Sequence, residues 1–237
     1  RSRVATRVLV RVARFKADGF DTLTTGLRRI DWSAWLPDSG VEVSASTDGK
    51  STLFHTGAIA ERVAEQIGRE VGDQQVMVRV QRDVATVSIA ATGLALHKRG
   101  YRGAAGKAPM RETLAAALLM TSGWDVRSPL VDPFCGSGTV VIEAALMARR
   151  IAPGRHRSFQ FMQWPSFDRA AWDRMLKGAD ADVIERCPVL VGSDRDAGAI
   201  SAALANADAA GVGGNVVFER RSVSDLDLPA RRGHDGF

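Results

Sequence analysis

The chain has 237 residues, 45% of them apolar, with 32 Lys and Arg against 27 Asp and Glu for a formal charge of +5. At ~150 residues per domain that length suggests one or two domains. No apolar run nears the ~20 residues of a membrane span, the N-terminus has no signal-peptide core, and two cysteines make neither a disulfide framework nor a four-ligand zinc site, so a membrane protein, a secreted disulfide scaffold and a zinc finger are excluded.

The remaining expectation is a cytoplasmic protein that holds no metal. Residues 1–107 hold 17 Lys and Arg against 11 Asp and Glu, a balance of +6, while residues 108–237 hold 15 against 16, a balance of −1. All of the basic excess lies in the first half, as in a module that faces a polyanion. Solvated faces of an Arg-rich chain are the plainer explanation of the same numbers.

Taken in order, Val8, Val10 and Val12 alternate with Arg7, Leu9 and Arg11, a period of two that predicts a strand. Residues 20–35 carry Leu23, Leu27 and Ile30 and predict a helix ending in a loop with Trp32. Residues 41–46 predict a second strand, followed by a polar turn at Asp48-Gly49-Lys50. Thr56 is placed as the cap of a helix with Ile59, Val63 and Ile67 four apart, stopping near Gly68 or Gly72. Residues 76–80 and 84–89 predict a hairpin through Arg82-Asp83. Residues 1–92 thus form a small α+β region. Residues 93–109, rich in Gly and positive charge, have linker composition and are expected to contain the domain boundary. Within and beside it, Lys98, Arg99, Arg102 and Lys107 are candidates for binding nucleic-acid backbone phosphates or for a solvated linker face.

Residues 110–237 change character. An Ala/Leu helix over 110–122 precedes a short apolar strand at 129–134 and a helix at 138–150. A second strand at 189–192 ends at Ser193-Asp194, Asp196 caps a helix over 197–210 that closes at Gly211, and a third strand starts at 216–218. Alternation of this kind builds a parallel sheet. The aromatic insertion with Phe159, Phe161, Trp164, Phe167 and Trp172 suits a lid, a surface on which nucleic-acid bases stack or, preferably, a satellite core packed on that sheet.

The most informative stretch is Asp132-Pro133-Phe134-Cys135-Gly136-Ser137-Gly138-Thr139, between a strand and a helix. Two glycines one residue apart allow a sharp turn close to a ligand, at a helix N-terminus that favours anionic groups. Val141 stands where a dinucleotide fingerprint has its third glycine, no Lys follows as in a P-loop, and Ser137 fails the spacing of a hydrolase elbow. Asp194 ends the neighbouring strand, where the carboxyl ends of a parallel sheet form the ligand crevice and an acid accepts bonds from ribose hydroxyls. Both acids also suit structural roles, Asp132 as a strand-end cap and Asp194 in an Asx turn. A nucleoside without pyrophosphate fits best, and S-adenosylmethionine is the obvious one. Cys135 lies inside the turn and reads as packing rather than as a cytosine-C5 nucleophile.

That turn, with Ile142-Glu143-Ala144-Ala145 behind it, resembles the first motif of class I amino-group methyltransferases. The run 96–102 (Leu-His-Lys-Arg-Gly-Tyr-Arg), the run 108–115 starting Ala-Pro-Met-Arg-Glu-Thr, and Ile151-Ala152-Pro153-Gly154 narrow the resemblance to THUMP-domain RNA guanine-N2 methyltransferases, similar to the bacterial 23S ribosomal RNA enzymes of the RlmL type. The resemblance implies a Rossmann-like α/β methyltransferase domain, truncated here, preceded by a partial ferredoxin-like/THUMP region that holds RNA. It implies S-adenosylmethionine as donor, with Asp132, Phe134, Cys135, Gly136, Ser137 and Gly138 in the donor turn and Asp194 with Arg195 at the ribose. Pro109 and Thr113 would border the pocket, and the backbone at Ser222 and Val223 would meet the adenine. The acceptor would be the exocyclic amine of guanine in ribosomal RNA or, alternatively, transfer RNA; a DNA amino-methyltransferase and a non-catalytic RNA-binding module are the other readings. The family's Asn-Pro-Pro-Tyr/Phe motif does not occur in the sequence and is expected after Phe237, so the chain reads as an inactive fragment.

Overall fold

The computed structural model describes residues 2–37, 40–68, 70–103 and 110–225, arranged in two compact units. One is built from Arg7–Ala95 with Ser158–Trp172; the other takes the described residues before position 7, then Leu96–Arg157 and those from Asp173 onward. The chain passes from one unit to the other after Ala95, within residues 93–109, and two further stretches are exchanged between the halves.

The first unit contains β1 (Leu9–Lys16), α1 (Phe20–Leu27), β2 (Val41–Thr47), α2 (Thr56–Ile67), β3 (Gln74–Gln81) and β4 (Val84–Ala90). The strands lie in the order β1-β4-β3-β2; β2 and β3 are parallel, as the crossover through α2 requires, and the other pairs are antiparallel. Strict alternation on β3 buries Val76, Val78 and Val80 and leaves Arg79 and Gln81 exposed. The buried valines pack in one cluster with Leu23 and Leu27 of α1 and Ile59 and Val63 of α2. Between β3 and β4, Arg82 and Asp83 both take positive φ, 49° and 55°, the mirror-image turn whose twist matches a hairpin.

Three local expectations change. The helix expected to run from residue 20 through Ile30 into a loop with Trp32 stops at Leu27, and Asp31 starts a separate 3-10 turn by accepting the Ser33 N–H at 3.1 Å, a side chain competing with the helical backbone. His55, not Thr56, occupies the cap position of α2. β1 carries a bulge between Arg11 and Ala13: Arg11 pairs with Ser88 and Arg14 with Thr86, three residues apart on one strand and two on the other.

The second unit holds α3 (Glu112–Thr121), β5 (Leu130–Asp132), α4 (Thr139–Ala148), β6 (Leu190–Asp194), α6 (Ala197–Ala209) and β7 (Val217–Arg220). β5, β6 and β7 are parallel and adjacent in that order. α4 is buried almost all round, and its Val141, Ile142 and Ala145 join Leu190, Ala203, Ala207 and Phe218 in one core. α5 (Arg169–Ala181), unannounced by the sequence pattern, buries none of its residues and crosses the division at residue 172.

Within the stretch of linker composition, residues 96–102 form a strap of this second unit, with Leu96, Arg99 and Tyr101 buried. Arg99 is 3% exposed and Glu143 fully buried; their side chains pair at 3.3 Å, and Tyr101 donates its hydroxyl to the same carboxylate at 3.3 Å. Burial, more than Arg99 opposing it, raises the Glu143 carboxyl above its ordinary range. The aromatic insertion is also relocated. Phe159, Phe161, Phe167 and Trp172 pack on one another, and Trp164 donates its indole N–H to the buried Gln74 side chain at 2.9 Å. The satellite core thus belongs to the mixed sheet, not to the parallel one.

Candidate functional site

β5 ends where Pro133, having no N–H, cannot extend the ladder. Asp132 accepts the Phe134 N–H at 3.1 Å, starting the turn; the Cys135 N–H then donates to the Ser193 carbonyl at 2.9 Å, tying it to β6. The Gly136 N–H donates to Asp194 Oδ2 at 3.0 Å, and Asn206 of α6 donates to the Ser137 carbonyl at 3.2 Å. Gly136 and Gly138 take φ of 51° and 81°, open to glycine at little cost. A Cβ on Gly138 would stand 2.7 Å from the Phe218 ring and 3.0 Å from Ala203. The turn is therefore seated directly on α6 and β7.

Asp194 is held from two sides, since its Oδ1 accepts the Asp196 N–H at 3.0 Å. A carboxylate has about four lone-pair sites, so two remain for a ligand. Burial pushes the Asp132 carboxyl above the ordinary range, the Phe134 N–H opposes this, and the neighbouring Asp194 charge adds to it. Burial, with the Asp132 and Asp194 charges, pushes the Cys135 thiol up to about 12. At neutral pH it stays protonated and unreactive.

The two carboxylates and the turn line one open cleft of about 1140 Å³. Asp132, Phe134, Cys135, Gly136, Ser137 and Asp194 all line it, with Phe134 73% exposed. Gly138 lies beneath as the residue before α4 and does not reach the lining. Thr113 is buried inside α3 and away from the cleft, while Arg195, Ser222 and Val223 are exposed outside its lining. Pro109 and Lys107 lie outside the described residues.

Among the expected RNA contacts, Lys98 is exposed, but Arg99 is spent on Glu143. Arg102 pairs with Glu112 at 3.3 Å and donates to the Thr139 hydroxyl at 2.9 Å. Neither guanidinium is offered to a polyanion. The sequence reading missed the wall supplied by Met110, Leu118 and Leu119 of the α3 region and the floor from Gly198, Ala199 and Ala202 of α6. Leu114, Leu118 and Met120 are all more than half exposed. Apolar residues on every side of α3 were the available signal, since a helix covering one core needs only one apolar stripe.

Two carboxylates, two free lone-pair sites on a rigidly held Asp194 and an apolar wall suit a ligand with hydroxyls, a positive charge and an apolar ring. Comparison with known proteins agrees. Residues 99–234 match the family described as RMKL-like, methyltransferase domain. A Synechocystis protein provisionally named an RNA methyltransferase is 34% identical over 98% of this chain and 65% of its own. The ribosomal RNA large subunit methyltransferase K/L of Methylococcus capsulatus is 35% identical over 98% of this chain and 34% of its own. A structure from Listeria monocytogenes, provisionally named an N6-adenine-specific DNA methylase, superposes with a TM-score of 0.86 at 34% identity, covering 95% of this chain and 63% of that one. Another, provisionally named a methyltransferase and complexed with SAH, gives 0.82 at 30% identity, covering 95% and 64%. The chain spans less than two thirds of each of these proteins.

Proposed function

The chain belongs to the RMKL-like methyltransferase family, and from that footing we propose that it supplies the donor-binding half of an S-adenosylmethionine-dependent RNA methyltransferase. The observation that carries this reading is the hydrogen bond from Gly136 to Asp194, which joins turn and acid around one cleft. When bound, S-adenosylmethionine supplies an electrophilic methyl group on a positively charged sulfur. Asp194 would accept the ribose hydroxyls with its remaining lone pairs. Asp132 would place negative charge near the cationic end of the donor, and Phe134 with Leu118 would exclude water from its apolar parts. Fixing these groups before the donor arrives is where the protein lowers the barrier, since positioning and preorganised charge supply most of such catalysis.

The finer assignment is the exocyclic amine of a guanine in 23S ribosomal RNA. It draws on the resemblance of residues 96–154 to guanine-N2 enzymes and on the ribosomal name of the Methylococcus relative. In the same reading residues 1–92, a THUMP-type region, hold the RNA. Because this chain lacks the Asn-Pro-Pro-Tyr/Phe motif, the acceptor assay belongs to the longer protein. Calorimetry on this chain should show S-adenosylmethionine binding that Asp194→Ala weakens by at least about tenfold; no binding by the wild type overturns the proposal. Labelled methyl transfer by the longer protein to ribosomal RNA, transfer RNA and duplex DNA, followed by nucleoside analysis, identifies the acceptor. Methyl-adenine in DNA would instead favour the activity named for the Listeria neighbour.

A further inference from the structure

With Arg99 and Arg102 committed to internal ion pairs, the basic excess of the first half must lie elsewhere. α1 and α2 pack on one side of the mixed sheet, where the buried valines point. The opposite face is open, and strand register places its residues in rows. Arg14 pairs with Thr86, Thr86 with Arg79, and Arg79 with Ser46. The next row runs Arg11, Ser88, Met77, Ser44. Neighbouring strands are ~4.8 Å apart, so Arg14 and Arg79 stand about 10 Å apart in one row, and the two rows are separated by about 7 Å. Arg11 and Arg14 share this face only because of the β1 bulge; three residues apart on a regular strand, they would point to opposite sides.

Around these rows lie two shallow clefts of about 750 and 660 Å³, which share Asp48 and Gln81. The second adds Lys50 and Arg82 to Arg14. All five cations (Arg11, Arg14, Lys50, Arg79 and Arg82) are exposed, and none is in an ion pair among the described residues. The nearby acids are engaged. Asp48 accepts the backbone N–H groups of Lys50 and Arg82, each at 3.1 Å, and Glu42 accepts from the Gln75 side chain. Between the cations the face carries Ser44, Ser46, Thr86 and Ser88, short hydroxyls able to bond phosphate oxygens. No aromatic ring lines either cleft, so the face has nothing on which bases would stack.

We propose that this open sheet face binds the phosphate backbone of RNA without reading its bases, holding the polymer for the methyl-transfer site. That RNA is the polyanion rests on the proposed function; the placement and chemistry of the face do not.

The test uses this chain and a fluorescently labelled 12-nucleotide oligo-U RNA, with anisotropy measured from 50 to 200 mM KCl. The triple variant R11Q/R14Q/R79Q is compared with R127Q/R174Q/R186Q, which removes three exposed cations from the other unit. Each phosphate contact on a single strand contributes ~0.7 to the slope of log affinity against log salt, so losing three should reduce the slope by about 2. We expect binding at 100 mM KCl to weaken at least tenfold in the first triple and little in the second, with oligo-A behaving as oligo-U. Equal losses in the two triples overturn the proposal, as does strong discrimination between the two oligomers. So does charge-dependent binding to phosphatidylserine vesicles without binding to RNA. Donor calorimetry on the same variants separates the two readings. RNA loss with intact donor binding supports the face, whereas a wild type that binds RNA but no donor sinks the methyltransferase reading alone.

Discussion

Arginine does opposite work in the strap at residues 96–102 and on the open sheet face. Arg99 is 3% exposed, paired with a fully buried carboxylate and bonded through its remaining N–H groups to the carbonyls of Leu96 and Arg3. Arg11, Arg14 and Arg79 stand in solvent with no acidic partner among the described residues. A desolvated charge must be matched within the fold, because leaving it alone costs several kcal/mol. A solvated one costs the fold little and is available to a ligand. Composition weights the two equally; burial tells them apart.

The sharpest way to break this contrast is Glu143→Ala, which leaves Arg99 buried without its counter-charge. It should cost about 3–5 kcal/mol, read by calorimetry as a large fall in melting temperature. A double variant, Arg99→Met with Glu143→Leu, should recover most of that loss, since a packed apolar pair replaces a buried ion pair at little cost. If the single variant melts like the wild type, the strap is not the clamp described.

Asp194 lies between the extremes, half-buried and matched by amides rather than by a cation. Asp194→Ala should weaken S-adenosylmethionine binding by about 10- to 100-fold, the equivalent of ~1.5–3 kcal/mol for hydrogen bonds to a charged group, measured by titration calorimetry. Asp132 has no cationic partner among the described residues. Its folded carboxyl holds the proton to higher pH than in the unfolded chain, where it ionises in the ordinary range. The unfolded state thus loses its proton first, and stability falls as pH rises from that range through the raised folded pKa, then levels. Asp132→Asn should abolish this decline and raise the melting temperature at neutral pH while weakening donor binding. In the wild type, affinity for the cationic donor should drop as pH falls through the same raised pKa. Smallest of all should be the thermal effect of R11Q/R14Q/R79Q. A melting temperature unchanged within error, beside the loss of RNA binding, would confirm that those cations serve a ligand rather than the fold.

How much of this was legible depended on distance along the chain. The strand, the bend at Gly136 and Gly138 and the cap at Asp196 are local chemistry, set by backbone freedom and side chains two residues from their partners. The approach of Asp194 to the bend was also readable, because parallel strand ends converge on one edge of a sheet. Arg99 was not, since its partner lies 44 residues on and a run of charge and glycine looks the same buried or solvated. The bulge in β1 hid Arg14 as well, because a simple alternation assigns it to the wrong face. The α3 wall of the cleft went unseen for a different reason: an apolar helix face looks alike whether it meets a core or a ligand.

The hydrogen bond from Trp164 to Gln74 spans 90 residues, and it has a consequence for birth on the ribosome. At synthesis rates of ~5–20 residues per second, Gln74 emerges on the order of ten seconds before the indole that completes its surroundings. In the interval the nascent sheet holds an amide at a position destined to be sealed from water, and the last stretch of its own unit is still to be translated. Truncations ending before residue 158, however neatly they seem to isolate the front of the polypeptide, should therefore yield a less cooperative and more aggregation-prone product than the intact chain.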